Sequence, residues 1–392
     1  MKSEWNTSAI ANICKVVTDG SHTSPKSVSH GKYMVSVKDF TPYGFDFNGC
    51  RQISFADYEK LKSSGCVPQK GDILIGKDGA RYFEDIIIYN QDEAPALLSS
   101  IAILRCDEEK VIPEYLYYLL KTPSFKKDVK DNYGSGSAIP RIILKDFKRM
   151  KVEYPSIEKQ RQIVSILHDL DAKIFNNQKV NDNLEQQAAA LFSSLYNRSN
   201  TGVRYTDLIQ ILGGGTPKTG ETAYWNGNIA FFTPKDVGTP YTFITEKTIT
   251  EEGLSHCNSR LYPVNTVFVT ARGTVGKVGL SGVPMAMNQS CYALVGKETH
   301  QLLVYFYTLK AVDRLKHKAS GAVFDAITTR DFDSEQIMKL SDDDAKAFLC
   351  VAEPMFQEIL NNSIENLRLS TLRDFLLPKL MSGEIDVSSV QL

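Results

Sequence analysis

Between Glu158 and Tyr196 the apolar residues recur in steps of four and three. Ile163, Leu167, Leu170, Ile174, Asn177, Asn181, Leu184, Ala188, Leu191 and Leu195 fall on one seam. This is the a/d pattern of a heptad repeat, with no glycine or proline inside it. It predicts a single helix of 39 residues. Such a helix is about 58 Å long at 1.5 Å per residue, and it needs a long partner to cover its seam.

The chain contains that partner. A step of 185 residues carries the seam onto Phe348, Ala352, Met355, Ile359, Asn362, Asn366, Leu369, Arg373, Leu376 and Leu380. Both mid-seam asparagines recur, and Arg373 is the one clear break. Buried asparagines in an apolar seam cost stability but fix register. The same step pairs Gly136 with Gly321, Asp146 with Asp331 and Phe147 with Phe332. The chain therefore reads as an internal duplication, each half ending in a long helix.

Ahead of each helix the pattern is mixed α/β. Strands are predicted at 33–37, 72–75, 86–89 and 100–104, with a helix from Pro113 to Leu120. Strands at 229–233, 266–270 and 291–294 and a helix over 301–316 repeat that plan. The loop from Tyr133 to Ser137 is glycine- and serine-rich. Asp342 to Asp344 suit the N-terminus of the second long helix. Pro354 predicts a kink or a start at Glu353, and Pro378 an end. The divisions expected are 1–155, 156–197, 198–341 and 342–381, with a tail over 382–392.

Composition narrows the class. With 42% apolar and 23% charged residues the chain is ordinary globular protein. It has no apolar run of the roughly 18 residues that span a bilayer and no secretory leader. Its seven cysteines form no C-x-x-C, which predicts buried, reduced thiols in a cytoplasmic protein. The net charge of −1 confines any nucleic-acid binding to local basic faces.

Catalytic patterns are missing. Gly213 to Gly220 holds the residues of a phosphate loop in the wrong order, and Gly273, Gly276 and Gly279 are spaced unlike a dinucleotide fingerprint. There is no H-E-x-x-H, G-x-S-x-G or adjacent proline pair. Asp171-Ala-Lys173 has nuclease-like spacing, but it sits on the helix without an acidic partner in a sheet and is read as a solvated face. The expectation is no catalytic residue, no metal site and a recognition role.

Recognition chemistry is present in both halves. From Gly253 to Lys297 there is no acid, while Arg260, Arg272, Lys277 and Lys297 are cationic. Within this run Thr270 to Lys277 is a glycine-bearing turn able to bring N–H groups and Arg272 to phosphate or into a groove. Asn288 and Gln289 carry the amides that pair with adenine, or else cap a turn. The first half has a matching turn with Lys77 and Arg81. It also has a basic stretch from Lys121 to Lys151, including Arg141, with nine cations against three acids.

These residues resemble a known family, the specificity subunits of type I DNA restriction–modification enzymes. The first half carries Thr18 to Thr23, Val37-Lys-Asp39 and Lys70 to Gly76, and the first long helix opens on Pro155-Ser-Ile-Glu-Lys-Gln160. The second carries Gly213 to Pro217, Thr233-Pro-Lys-Asp236, Arg272 to Lys277 and Asn288-Gln-Ser290, and the second helix ends on Leu372 to Glu384. Two departures stand out. The second helix opens on Ser341-Asp-Asp-Asp344 where a Pro-x-x-Glu-x-Gln start is usual, and Ser99-Ser100 replaces the Asn-Gln pair in the first half.

The resemblance implies two α/β (α+β) target-recognition domains, each reading half of a split double-stranded DNA site. It implies that the two helices form an antiparallel coiled coil that sets the spacing. It implies docking of two methyltransferase subunits and, through them, restriction subunits. No cofactor would be bound by this chain; S-adenosylmethionine, ATP and Mg belong to the partner subunits. DNA contact is then expected at Asp19, His22, Lys38, Lys77, Arg81, Ser99, Ser100 and Arg141 in the first half. In the second it is expected at Thr216, Lys218, Lys235, Arg272, Gly273, Lys277, Asn288, Gln289 and Ser290. A stand-alone specificity module, one of another restriction class, or a duplicated coiled-coil protein-binding scaffold would share the same duplication.

Overall fold

The structure is a computed structural model that describes residues 5–134, 140–238, 240–318 and 326–387. Gly136, Gly321 and most of the loop from Tyr133 to Ser137 lie outside the described residues. The chain divides into two compact units, one of residues 1–173 and 368–392, the other of residues 174–367.

The first unit is built on a four-stranded antiparallel sheet. Its order is Cys14–Asp19, Ile101–Cys106, Ile73–Gly76 and Ile86–Ile88. Ile73 to Gly76 is an unbroken apolar run with every residue buried, as a strand covered on both faces requires. A smaller sheet orders Gln52–Ile53, Lys32–Val35 and Ala96–Leu97. Helices Pro113–Lys121 and Pro123–Asn132 follow, each opening on proline, where the missing N–H costs nothing.

The second unit repeats this order. Ile209–Gly213, Cys291–Gly296, Val267–Thr270 and Val278–Ser281 form the antiparallel part of a five-stranded sheet, and Tyr241–Thr242 adds in parallel. Lys247–Ile249, Trp225–Phe232 and Met285–Met287 make the smaller sheet. The helix Gln301–Lys318 packs its buried face on the larger one.

The long helices span Ile157–Arg198 and Asp342–Met381, and each contributes to both units. Within each unit their segments run antiparallel. In the first, Asp171 meets Arg373; in the second, Asn177 meets Asn366 and Asn181 meets Asn362. Ile163, Leu167, Ile174, Asn177, Asn181, Ala188, Leu195, Phe348, Ala352, Ile359, Asn362 and Leu380 are buried. Leu170, Leu184, Leu191, Met355, Asn366, Leu369 and Leu376 are half-buried. At three places the more buried residue is one step on: Phe192, Phe356 and Leu377. A straight helix drifts about 20° per heptad from a strict 3.5 repeat, and here the domain core takes up the drift. Phe192 stacks on Phe306 at 5.0 Å and meets Phe348 edge-on at 5.4 Å.

Several sequence expectations are corrected. The second helix starts at Asp342, where its acidic first turn puts it, and the alternative start at Glu353 is not taken; Ser341 Oγ accepts from Asp344 N at 3.1 Å and caps it. It runs through Pro354, which is exposed together with Cys350, so the carbonyl that loses its partner can face water. It also passes Pro378 and stops at Met381, with Gly383 following at φ +72°. Residues 382–387 are not a loose tail, since Val387 is buried in the first unit's core with Ile163 and Leu380. Asp171 is not on a solvated face: it accepts from Tyr118 Oη at 2.7 Å and from Arg373 Nη1 at 2.7 Å. That pairing accommodates the one cation in the seam. Of the cysteines, Cys50 and Cys257 are half-buried and Cys350 is exposed.

Candidate nucleic-acid interface

In the second unit four loops meet at one edge. The turn Thr270 to Lys277 is pinned from within: Lys277 N donates to Thr270 Oγ1 at 2.9 Å and Gly276 N to Thr270 O at 2.9 Å. Gly273 and Gly276 supply the two left-handed residues it needs, at φ +80° and +74°. Thr274 Oγ1 donates to Pro234 O at 3.0 Å and ties this turn to Thr233–Asp236. Asp236 holds that second loop by accepting from Thr233 N at 2.8 Å. A groove of about 430 Å³ lies between Thr233–Lys235, Gly273–Thr274 and Asn288.

The third and fourth loops are packed face to face. A Cβ on Gly214 would overlap the carbonyl oxygens of Met287 and Asn288, so only glycine allows this approach. Gly215 N donates to Met287 O at 3.1 Å, and the Thr216 hydroxyl donates to Gln289 Oε1. Lys218, Arg272, Gly273, Lys277 and Gln289 are exposed; Thr216, Asn288 and Ser290 are half-buried. Lys235 is exposed but ion-paired with Glu246 at 3.5 Å. Asn288 Oδ1 accepts from Ser290 N at 3.0 Å, so Asn288 caps its own turn. An amide that reads adenine must offer oxygen and nitrogen together. Asn288 and Gln289 both have their oxygens engaged, by Ser290 N and by the Thr216 hydroxyl, but Gln289 is the exposed member of the pair and its bond to the loop hydroxyl is exposed.

The first unit builds a similar edge. A Cβ on Gly20 would overlap the carbonyls of Leu97 and Leu98, and Ser21 N donates to Leu97 O at 2.7 Å. Asp39 accepts from Ser36 N at 2.7 Å, as Asp236 does from Thr233. Lys38, His22, Arg81 and Arg141 are exposed, and Ser99 and Ser100 are half-buried. Lys77, expected to face outward, is instead 6% exposed. Its Nζ lies 3.3 Å from Asp19 Oδ2 and 3.6 Å from Asp78 Oδ1. A buried ammonium needs this pairing to offset lost hydration. Asp19 also lies 3.3 Å from His22 Nε2. Arg81 is held by Asp85 at 2.7 Å.

The basic stretch from Lys121 to Lys151 is not one open face. Lys126 and Lys130 both pair with Glu84, at 2.7 and 2.6 Å, and hold its carboxyl below the usual range. Lys121 is packed against Tyr117, and burial lowers its pKa. Arg149 pairs with Asp146 at 2.9 Å.

A family model described as the type I restriction modification DNA specificity domain matches residues 2–186 and 199–339. The chain belongs to that family. It is 24% identical over 310 residues to the type I restriction enzyme MjaIX specificity subunit of Methanocaldococcus jannaschii, covering 72% of this chain and 71% of that one. It is 24% identical over an alignment of 406 residues to the HindI specificity subunit of Haemophilus influenzae, covering 81% and 87%. The crystal structure of the type I restriction–modification S subunit from M. genitalium covers 96% of both chains at 16% identity, with a TM-score of 0.59, and shares the fold.

Among the described residues of this specificity-domain chain, no three His, Cys, Asp or Glu side chains are grouped to hold a metal ion. No helix among them is long and apolar enough to cross a membrane. The sequence reading missed Asp78, which lies on the first edge beside Arg141. Its signal was the shared glycine: Asp78-Gly79 and Arg272-Gly273 both put glycine at positive φ.

Proposed function

We propose that this chain is the specificity subunit of a type I restriction–modification complex. Each α/β domain reads one half of a bipartite double-stranded DNA site. The long helices dock two methyltransferase subunits and, through them, restriction subunits. The chain performs no chemistry; S-adenosylmethionine, ATP and Mg act in the partner subunits, in the cytoplasm. The observation that carries the reading is the pair of like-built edges, each closed by a glycine packed on a facing backbone, Gly20 and Gly214. Two such surfaces in one chain suit two like half-sites and two like partners.

The test is co-expression with methyltransferase subunits from the same cells, followed by native mass measurement and sequencing of modified bases. Two methyltransferase subunits per chain and a split methylated motif are expected. A 1:1 complex at saturating partner would exclude the stoichiometry. Salt-independent or undetectable DNA binding would exclude DNA reading and favour a scaffold.

A further inference from the structure

The two edges can be superimposed residue by residue through their hydrogen bonds. Lys77 N donates to Ser100 O at 2.9 Å, and Ile142 N donates to Lys77 O at 3.0 Å. Ala271 N donates to Ser290 O at 2.8 Å, and Ile327 N donates to Ala271 O at 2.9 Å. Ile142 and Ile327 stand 185 residues apart, the step that relates the long helices. Lys77 and Ala271 therefore hold the same place. One residue on, Asp78 bridges Arg141 and Arg272 bridges Ala326. The next residue is the left-handed glycine in both, Gly79 at φ +93° and Gly273 at φ +80°.

The charges at this place are inverted. The second domain presents a guanidinium from the turn, opposite a methyl group. The first presents a carboxylate from the turn, opposite a guanidinium. Asp78 is 31% exposed, with one oxygen toward Lys77, whereas Arg272 is exposed. A guanidinium can take guanine O6 and N7 or a phosphate. A carboxylate is repelled by phosphate, and at a base edge in the major groove it accepts only from an exocyclic amino group, cytosine N4 or adenine N6.

We infer that Asp78 is a specificity-determining residue of the first domain, reading an amino group where the second domain reads guanine through Arg272. This rests on the DNA-reading function proposed above. Asp78 contributes discrimination at a cost in general affinity, and Arg272 contributes both contact and affinity.

The experiment uses the full chain in complex with its methyltransferase subunits. The wild-type motif is mapped first by sequencing modified DNA. Asp78→Asn and Arg272→Gln complexes are then titrated against duplexes carrying the mapped motif, single base-pair changes of it, and a random sequence, over a salt series. Asp78→Asn should tighten binding to the random duplex, steepen its salt dependence and relax one base pair in one half-site. Arg272→Gln should weaken the mapped motif by about 5- to 150-fold and relax a G·C pair in the other half-site. If Asp78→Asn fails to fold, the transplant Asp78→Arg with Arg141→Ala should change the preferred base pair at that same position. Unchanged base requirements in a folded Asp78 variant, weaker random-duplex binding, or relaxation in the half-site that Arg272 governs would overturn the inference. A wild-type complex with no preferred motif would remove the DNA-reading function itself, and the inference with it.

Discussion

Asn177 donates through Nδ2 to Asn366 Oδ1 at 2.9 Å, and Asn362 donates through Nδ2 to Asn181 Oδ1 at 3.0 Å. Asn366 is the repeat of Asn181, and Asn362 is the repeat of Asn177. Each asparagine thus pairs with the duplicate of the other, and the duplication closes on itself. Replacing Asn362 by Leu should leave the buried Asn181 amide short of a partner and cost about 1 to 3 kcal/mol in urea unfolding. The double change to Leu at 181 and 362 should recover most of that loss while loosening register. A double variant less stable than the single one would contradict the pairing argument.

Asp171 and Arg373 offer a second test. The pair sits in the seam with Tyr118, whose hydroxyl is pushed well above its ordinary pKa by burial and the Asp171 charge. Arg373→Met alone takes the guanidinium from that carboxylate and leaves it the Tyr118 hydroxyl and the nearby Lys121 charge, and should cost about 1 to 3 kcal/mol. Adding Asp171→Leu should return stability toward wild type, since two apolar residues can replace a paired set. Additive losses in the double variant would show that the two groups do not act together.

Close backbone approach predicts a local effect at each edge. Gly20→Ala and Gly214→Ala both force a methyl into carbonyl oxygens and should each lower stability by about 1 to 3 kcal/mol. Gly220→Ala, which meets nothing within 4 Å and needs no positive φ, is the control and should change little. Calorimetry that failed to separate Gly214→Ala from Gly220→Ala would argue against the packed loops.

Glu185 accepts from Tyr305 Oη at 3.1 Å, yet burial raises its pKa above the ordinary value of 4.5. The folded state then holds this proton more tightly than the unfolded chain. The resulting cost is absent below the unfolded value, grows as pH rises toward the raised folded value, and is constant above it. Glu185→Gln keeps an acceptor for Tyr305 without the charge. It should match wild type near pH 4 and exceed it at pH 7. Denaturant titrations giving the largest gain at acid pH would reverse the sign and reject the account.

Much of this architecture was legible because period and burial agree. Ile73 to Gly76 and Val267 to Thr270 are apolar runs that become central strands, and Pro113 opens a helix as its position suggests. The seam was legible in period but not in phase. Phe192, Phe356 and Leu377 displace Leu191, Met355 and Leu376 because the helices also face Phe306 and other domain residues that no heptad count includes. Lys77 was misplaced for a different reason. Its partner Asp19 lies far back in the chain, and a local charge pattern does not show that the two will share a buried pair. Asn288 was ambiguous between base reading and turn capping until Ser290 N was seen on its side-chain oxygen.

The first unit takes its last segment from Arg368 onward, and Leu377, Leu380, Met381 and Val387 complete the core around Ile163 and Leu167. On the ribosome those residues emerge only after all of Ile174 to Leu367. At roughly 5 to 20 residues per second that interval is on the order of 10 to 40 s. Domain order in the gene and order of completion are therefore reversed: the domain that begins translation is the one that finishes folding last. Until then its half of the seam is an uncovered apolar strip on a nascent chain, available to a chaperone or to another copy of the same helix.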